Sequence, residues 1–179
     1  MKISISKIQV AEMQLNEAIF LFFDKASPIV IETLIGAVLG VLIPLGKKYG
    51  IEAPFHDSDK IKPEYKKLWI KTIRKAQNFS KHADNDPEAV LSYETDTLPF
   101  RIIEACHLFR HIASNKCLKY RQSQSAVMFE IWFQLKNPHL LKEPVETNKF
   151  FQTTGILKIF NIDDFETLKL VADRFRIRL

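Results

Sequence analysis

The segment from Ile29 to Gly46 is apolar except for Glu32 and Thr33, and burying it constrains every other part of the chain. A bilayer span takes about 20 consecutive, largely apolar residues. The uncharged run from Thr33 to Gly46 is only 14 long, with Glu32 at one end and Pro44 near the other. The segment therefore predicts the central helix of a bundle, apolar nearly all round and covered by its neighbours. Ser27 is placed as its N-cap, Pro28 as its first helical residue, and Gly50 as its stop just beyond Lys48. Gly36-Ala-Val-Leu-Gly40 has the G-x-x-x-G spacing, which predicts close approach of a neighbouring helix at both glycines.

The rest of the chain repeats the helical period. Ile8, Ala11, Leu15, Ala18, Ile19 and Phe22 recur at three- and four-residue steps, while Gln9, Glu12, Asn16 and Glu17 fall off that stripe. The turn around Asp24–Ser27 is short enough to make the first two helices an antiparallel hairpin. A third helix is predicted from Pro63 to about Phe79, a fourth around Leu98–Ile112, and a fifth from Gln122 to Leu135 ending at Pro138. Ala89–Tyr93 reads as a short extended piece. One or two further helices follow Asn148, the last capped by Asp163 or Asp164 and carrying Phe165, Leu168, Leu170, Val171 and Phe175. With five Gly and eight Pro in 179 residues, there is little room for the turns of an all-β fold. The expectation is an all-α, bundle-like single domain over residues 1–141, with a helical C-terminal extension over 142–179.

Charge is unevenly spread. Asp59 to His82 holds eight basic residues and two acidic ones, a net +6 where the whole chain carries +5. At about 100° per residue, Tyr65, Leu68, Trp69, Thr72, Ile73, Ala76 and Phe79 form one side of the third helix. Lys67, Lys71, Arg74, Asn78 and His82 form the other. Lys67, Lys71, Arg74, Lys75 and Lys81 are the candidate phosphate contacts, since a basic stripe backed by an apolar one suits nucleic acid. Asn78 and His82 are the candidate catalytic pair, because an imidazole titrates near neutral pH and an amide one turn away can fix its tautomer. A solvated helix face explains the same lysines without any ligand.

Other signals are thinner. His82, Asp84 and Asp86 offer three metal-capable side chains, but an Asn-Asp-Pro turn accounts for the aspartates and no metal is expected. His107 and His111 are four apart without the Glu of H-E-x-x-H, so Arg101, Glu104, His107 and His111 read as a polar face opposite Ile102 and Phe109. There is no Gly-rich phosphate loop, no G-x-S-x-G and no paired Cys–His signature, and no cofactor is expected. Cys106 and Cys117 lack zinc-ligand spacing. Cys106 reads as a free buried thiol, consistent with the cytoplasm. The stretch Ala18–Phe23 is too short, and too closely bracketed by Glu17 and Asp24, for a secretory leader.

Ala11-Glu-Met-Gln-Leu-Asn-Glu-Ala-Ile-Phe-Leu-Phe-Phe23, Pro28, Glu32-Thr-Leu34 and Ala37 resemble an uncharacterised family of small bacterial helical proteins. So do Asp57–Lys62, Tyr65 with Trp69, and Asn78–Pro87, the likeness covering about residues 8–141. It implies an all-helical fold and no particular activity. A weaker resemblance is to the HEPN superfamily, which includes ribonucleases marked by an Arg and, four to six residues on, a His. Arg101-Ile-Ile-Glu-Ala-Cys-His107 matches that count, with Ile102 where a polar residue is usual and the two side chains about 120° apart on a straight helix. Two functional expectations follow. One is RNA binding, or HEPN-like cleavage, through the basic helix. The other is a non-enzymatic interaction module for an acidic protein partner. Fourteen Phe and two Trp further suggest a homodimer.

Overall fold

The structure, a computed structural model, describes residues 2–56, 61–80, 87–115, 120–141 and 161–176. Among these residues there are seven α-helices, two short 3-10 turns and no strand, as the periodicity predicts. They are α1 (Lys7–Phe23), α2 (Pro28–Lys48), α3 (Pro63–Ile73), α4 (Lys75–Phe79), α5 (Leu98–Ala113), α6 (Gln124–Lys136) and α7 (Phe165–Arg174).

Local chemistry sets the ends of these helices. Ser6 and Gln9 form a reciprocal capping box at the start of α1. Pro28 opens α2, and Gly50 closes it with φ at +69°. At α7, the Asp164 carboxylate accepts from the Thr167 backbone N–H at 3.0 Å. Helix α2 continues through Pro44, where the ring removes one backbone donor. Pro44 and Gly40, the residue four back whose carbonyl loses its partner, both face solvent.

The core is shared by α1, α2, α5 and α6. Leu15, Ile19, Ile35, Leu42, Ile102, Leu108, Phe109, Ile112 and Phe129 are fully enclosed there. Helix α2 alone among the described helices is long and apolar enough to cross a membrane, and half of its most apolar window is buried within the protein. An aromatic cluster of Phe22, Phe23, Phe129, Trp132 and Phe165 joins α1 and α6 to α7, with ring centroids 5.1–6.2 Å apart. Trp132 Nε1 donates to Ile162 O at 3.1 Å. Thus α7 packs on the bundle with Leu168 and Ala172 buried, while Leu170, expected on its apolar face, is exposed.

Packing also modifies expectations elsewhere in the chain. Glu12 and Asn16, though off the apolar stripe of α1, are buried, because the 120–123 segment and Phe175 supply their partners. Tyr120 Oη donates to Glu12 at 2.6 Å, Arg121 pairs with it at 3.3 Å, Ser123 Oγ donates to Asn16, and Asn16 Nδ2 donates to Phe175 O. The third helix is not continuous to Phe79: it breaks at Arg74, whose backbone sits at φ −100°, ψ 1°. Gly36 does admit a close neighbour, the Gln77 side chain of α4, whose Nε2 donates to Gly36 O at 2.9 Å. Gly40 has no such neighbour; an added Cβ there would meet nothing within 4 Å.

Candidate functional site

The apolar character of α2 makes Glu32 its most constrained residue. A carboxylate buried at 2% exposure has to find a cation or a hydrogen-bond donor. Arg101, in the first turn of α5, brings Nε within 3.4 Å of Glu32 Oε1, and its Nη1 lies 3.3 Å from Glu104 Oε2. Tyr93 Oη donates to Glu32 Oε2 at 3.2 Å. Glu104 Oε1 accepts the backbone N–H groups of Phe55 and His56. Arg74 Nη2 stands 2.7 Å from His56 Nε2 and, being a donor only, makes that ring nitrogen the acceptor. These contacts link the segment before α5, α2, α5, the 50s loop and the α3–α4 junction into one polar chain.

Arg101 and Glu104 therefore do not lie on a solvated polar face with His107 and His111. They turn into the protein, leaving the two histidine rings in a tilted contact, with centroids 4.3 Å apart and planes at 50°. Burial, then the His111 and Arg110 charges, lowers the His107 pKa to about 4. Burial pushes the Glu32 carboxyl up from its ordinary value while Arg101 pulls it down, and burial raises Tyr93 to about 12, aided by the Glu32 charge. Burial likewise pushes up the thiol of Cys106, which is free and enclosed in the core.

Above the Glu32–Arg101 pair, α3 and α4 pack incompletely on α2 and α5 and leave a cavity of about 690 Å³. Phe55, Trp69, Ile73, Tyr93 and Phe100 supply much of its wall, Glu32 and Arg101 its buried base, and the exposed Lys75, Glu94 and Asp96 its rim. Trp69 Nε1 donates to Phe55 O, which fixes one wall against another. The apolar face expected for the third helix is thus only part covered. Trp69 and Ile73 turn toward the cavity, while Tyr65 and Leu68 are 57% and 62% exposed.

The outward basic residues separate into two groups. Lys67 and Lys71 lie one turn apart on α3, exposed, and among the described residues no carboxylate pairs with either. Arg74 instead turns to His56, and Lys75 Nζ reaches Ser92 O at 3.3 Å on the cavity rim. Asn78 is exposed on α4. Lys81, His82, Asp84, Asp86 and Cys117 lie outside the described residues. Among the described residues, no three metal-capable side chains gather into one group. Sequence reasoning missed the buried Glu32–Arg101–Glu104 network and the cavity. The signal available for the first was Glu32 itself, a lone carboxylate in an apolar helix that required a buried cation.

No protein-family model matches the chain, no curated protein matches its sequence, and no solved structure matches its fold. The two family resemblances therefore rest on the quoted residues alone. For the HEPN pattern, Arg101 is engaged by two buried carboxylates and His107 lies against the His111 ring, so each belongs to a different set of contacts.

Proposed function

We propose that this protein is an RNA-binding helical module of the cytoplasm whose contact surface is the outward face of α3 and α4. The observation that carries the reading is the state of α3, which buries none of its side chains fully and holds Lys67 and Lys71 outward without carboxylate partners. A helix kept for packing alone would cover its apolar residues. Here Tyr65 and Leu68 stand exposed near the lysines, offering a stacking ring and an apolar contact beside phosphate-binding charges. Lys67, Lys71 and Lys75 take phosphates in this reading, while Arg74 braces His56. Asn78 and His82 are the positions at which RNA cleavage is to be tested, by His82→Ala.

The same exposed Tyr65 and Leu68 suit an acidic protein partner, which is the second reading. Titration of a single-stranded RNA at two salt concentrations separates them. Three phosphate contacts give a single-strand slope near −2 in log–log form, so affinity falls about 20-fold between about 50 and 200 mM salt. Absent or salt-insensitive RNA binding removes the first reading.

A further inference from the structure

We infer that the cavity beneath α3 and α4 is a binding site for a small organic cation: an ammonium group carried on a compact apolar or aromatic body. At about 690 Å³ it lies within the range of small-molecule sites, and its composition is of that kind, with mostly apolar walls and few polar groups. The sign of the charge decides the class of ligand. Of the charged residues that line it, Glu32, Glu94 and Asp96 outnumber Arg101 and Lys75, and the Arg101 guanidinium is already engaged by Glu32 and Glu104. The lining as a whole therefore carries a negative excess, and an anionic ligand would have to meet Glu32 in a low-dielectric site.

The base of the cavity can also accept a new donor. Each Glu32 oxygen has one donor among the described residues, Tyr93 at 3.2 Å and Arg101 at 3.4 Å, both long for charge-assisted hydrogen bonds. Each oxygen therefore retains a lone pair for an ammonium N–H. The walls add a second attraction, because Trp69, Phe55, Tyr93 and Phe100 present aromatic rings to the same space and cations are drawn to ring faces. Neither feature depends on the RNA reading, since Lys67 and Lys71 do not line the cavity.

The test uses three probes of one shape on the full chain: phenylbutylamine, phenylbutanol and phenylbutyrate. Tryptophan fluorescence reports on the cavity through Trp69, because the other tryptophan, Trp132, sits in the aromatic cluster of α6 and α7. The amine is expected to change the fluorescence saturably, to raise Tm, and to bind at least tenfold more tightly than the alcohol, with the carboxylate weakest. Glu32→Gln should reduce the preference of amine over alcohol by about tenfold. In case that variant does not fold, Thr72→Phe, at a lining position on the exposed side, should block all three probes while the protein stays folded. Binding of the alcohol or carboxylate as tight as that of the amine overturns the proposal. So does the absence of saturable amine binding in the wild type, or amine binding that Thr72→Phe leaves unchanged.

Discussion

Glu32, the lone carboxylate of α2, and Arg101, in the first turn of α5, form an ion pair at 3.4 Å with both side chains at 8% exposure or less. Helices α2 and α5 are thereby held at one register by a contact that tolerates little change of shape. Arg101 also pairs with Glu104, so removing it takes a cation away from two buried carboxylates.

Arg101→Met is accordingly expected to cost about 3–5 kcal/mol, the usual loss when one partner of a buried pair is removed. Arg101→Lys should also destabilise, since a point charge cannot serve both carboxylates as the planar guanidinium does. Lys136→Ala breaks the exposed pair with Asp163 and should cost less than about 1 kcal/mol. Urea unfolding of the three variants compares them directly. Equal losses for Arg101→Met and Lys136→Ala would contradict the assignment of the buried network.

The His107 pair predicts a pH dependence. With a folded-state pKa of about 4, lowered by burial and by the His111 and Arg110 charges, His107 resists protonation in the folded protein. The unfolded chain, where histidine titrates near 6.5, binds more protons between those two values. The contribution of His107 to stability is therefore lost as pH falls from about 6.5 to 4, and changes no further below that. His107→Gln should flatten the Tm-versus-pH curve across this window. An imidazole resonance of His107 titrating near 6.5 would refute the shift.

The two glycines of α2 should respond with opposite signs. A Cβ at Gly36 would lie 2.7 Å from Gln77 Cγ and 2.8 Å from Cδ, displacing the side chain that ties α4 to α2. Gly36→Ala should cost about 1–3 kcal/mol, as overpacking does, and speed amide exchange in α4. Gly40 is exposed in a helix with open space around it, so Gly40→Ala should stabilise by about 0.5–1 kcal/mol. Thermal melts of both variants suffice to check the pair of signs.

What could be read from the chain follows the range of the forces involved. The course of α2, its Pro28 entry and its Gly50 stop were legible because they depend on neighbours a few residues away. The burial of Glu12 and Asn16 was not, because their partners come from Tyr120, Arg121, Ser123 and Phe175, more than a hundred residues distant. Arg101 and Glu104 were misplaced for the same reason, since periodicity assigns a polar side chain to water unless its opposite charge is in view. The break at Arg74 has no Gly or Pro to announce it and accompanies the reach to His56. The cavity arises from incomplete packing of α3 and α4, a property of three-dimensional fit that no residue pattern encodes.

The most direct test of the proposed function compares salt slopes for RNA binding between wild type and the Lys67→Glu/Lys71→Glu variant. Both lysines are exposed, so the variant should match the wild-type Tm closely. Fluorescence anisotropy with a labelled single-stranded RNA should give a wild-type slope near −2, and the variant should lose about 1.4 of it, at roughly 0.7 per phosphate contact. Its affinity at low salt should fall at least tenfold. No RNA binding by the wild type, or identical affinity and slope in the two proteins, would contradict the assignment of the α3 face to nucleic acid.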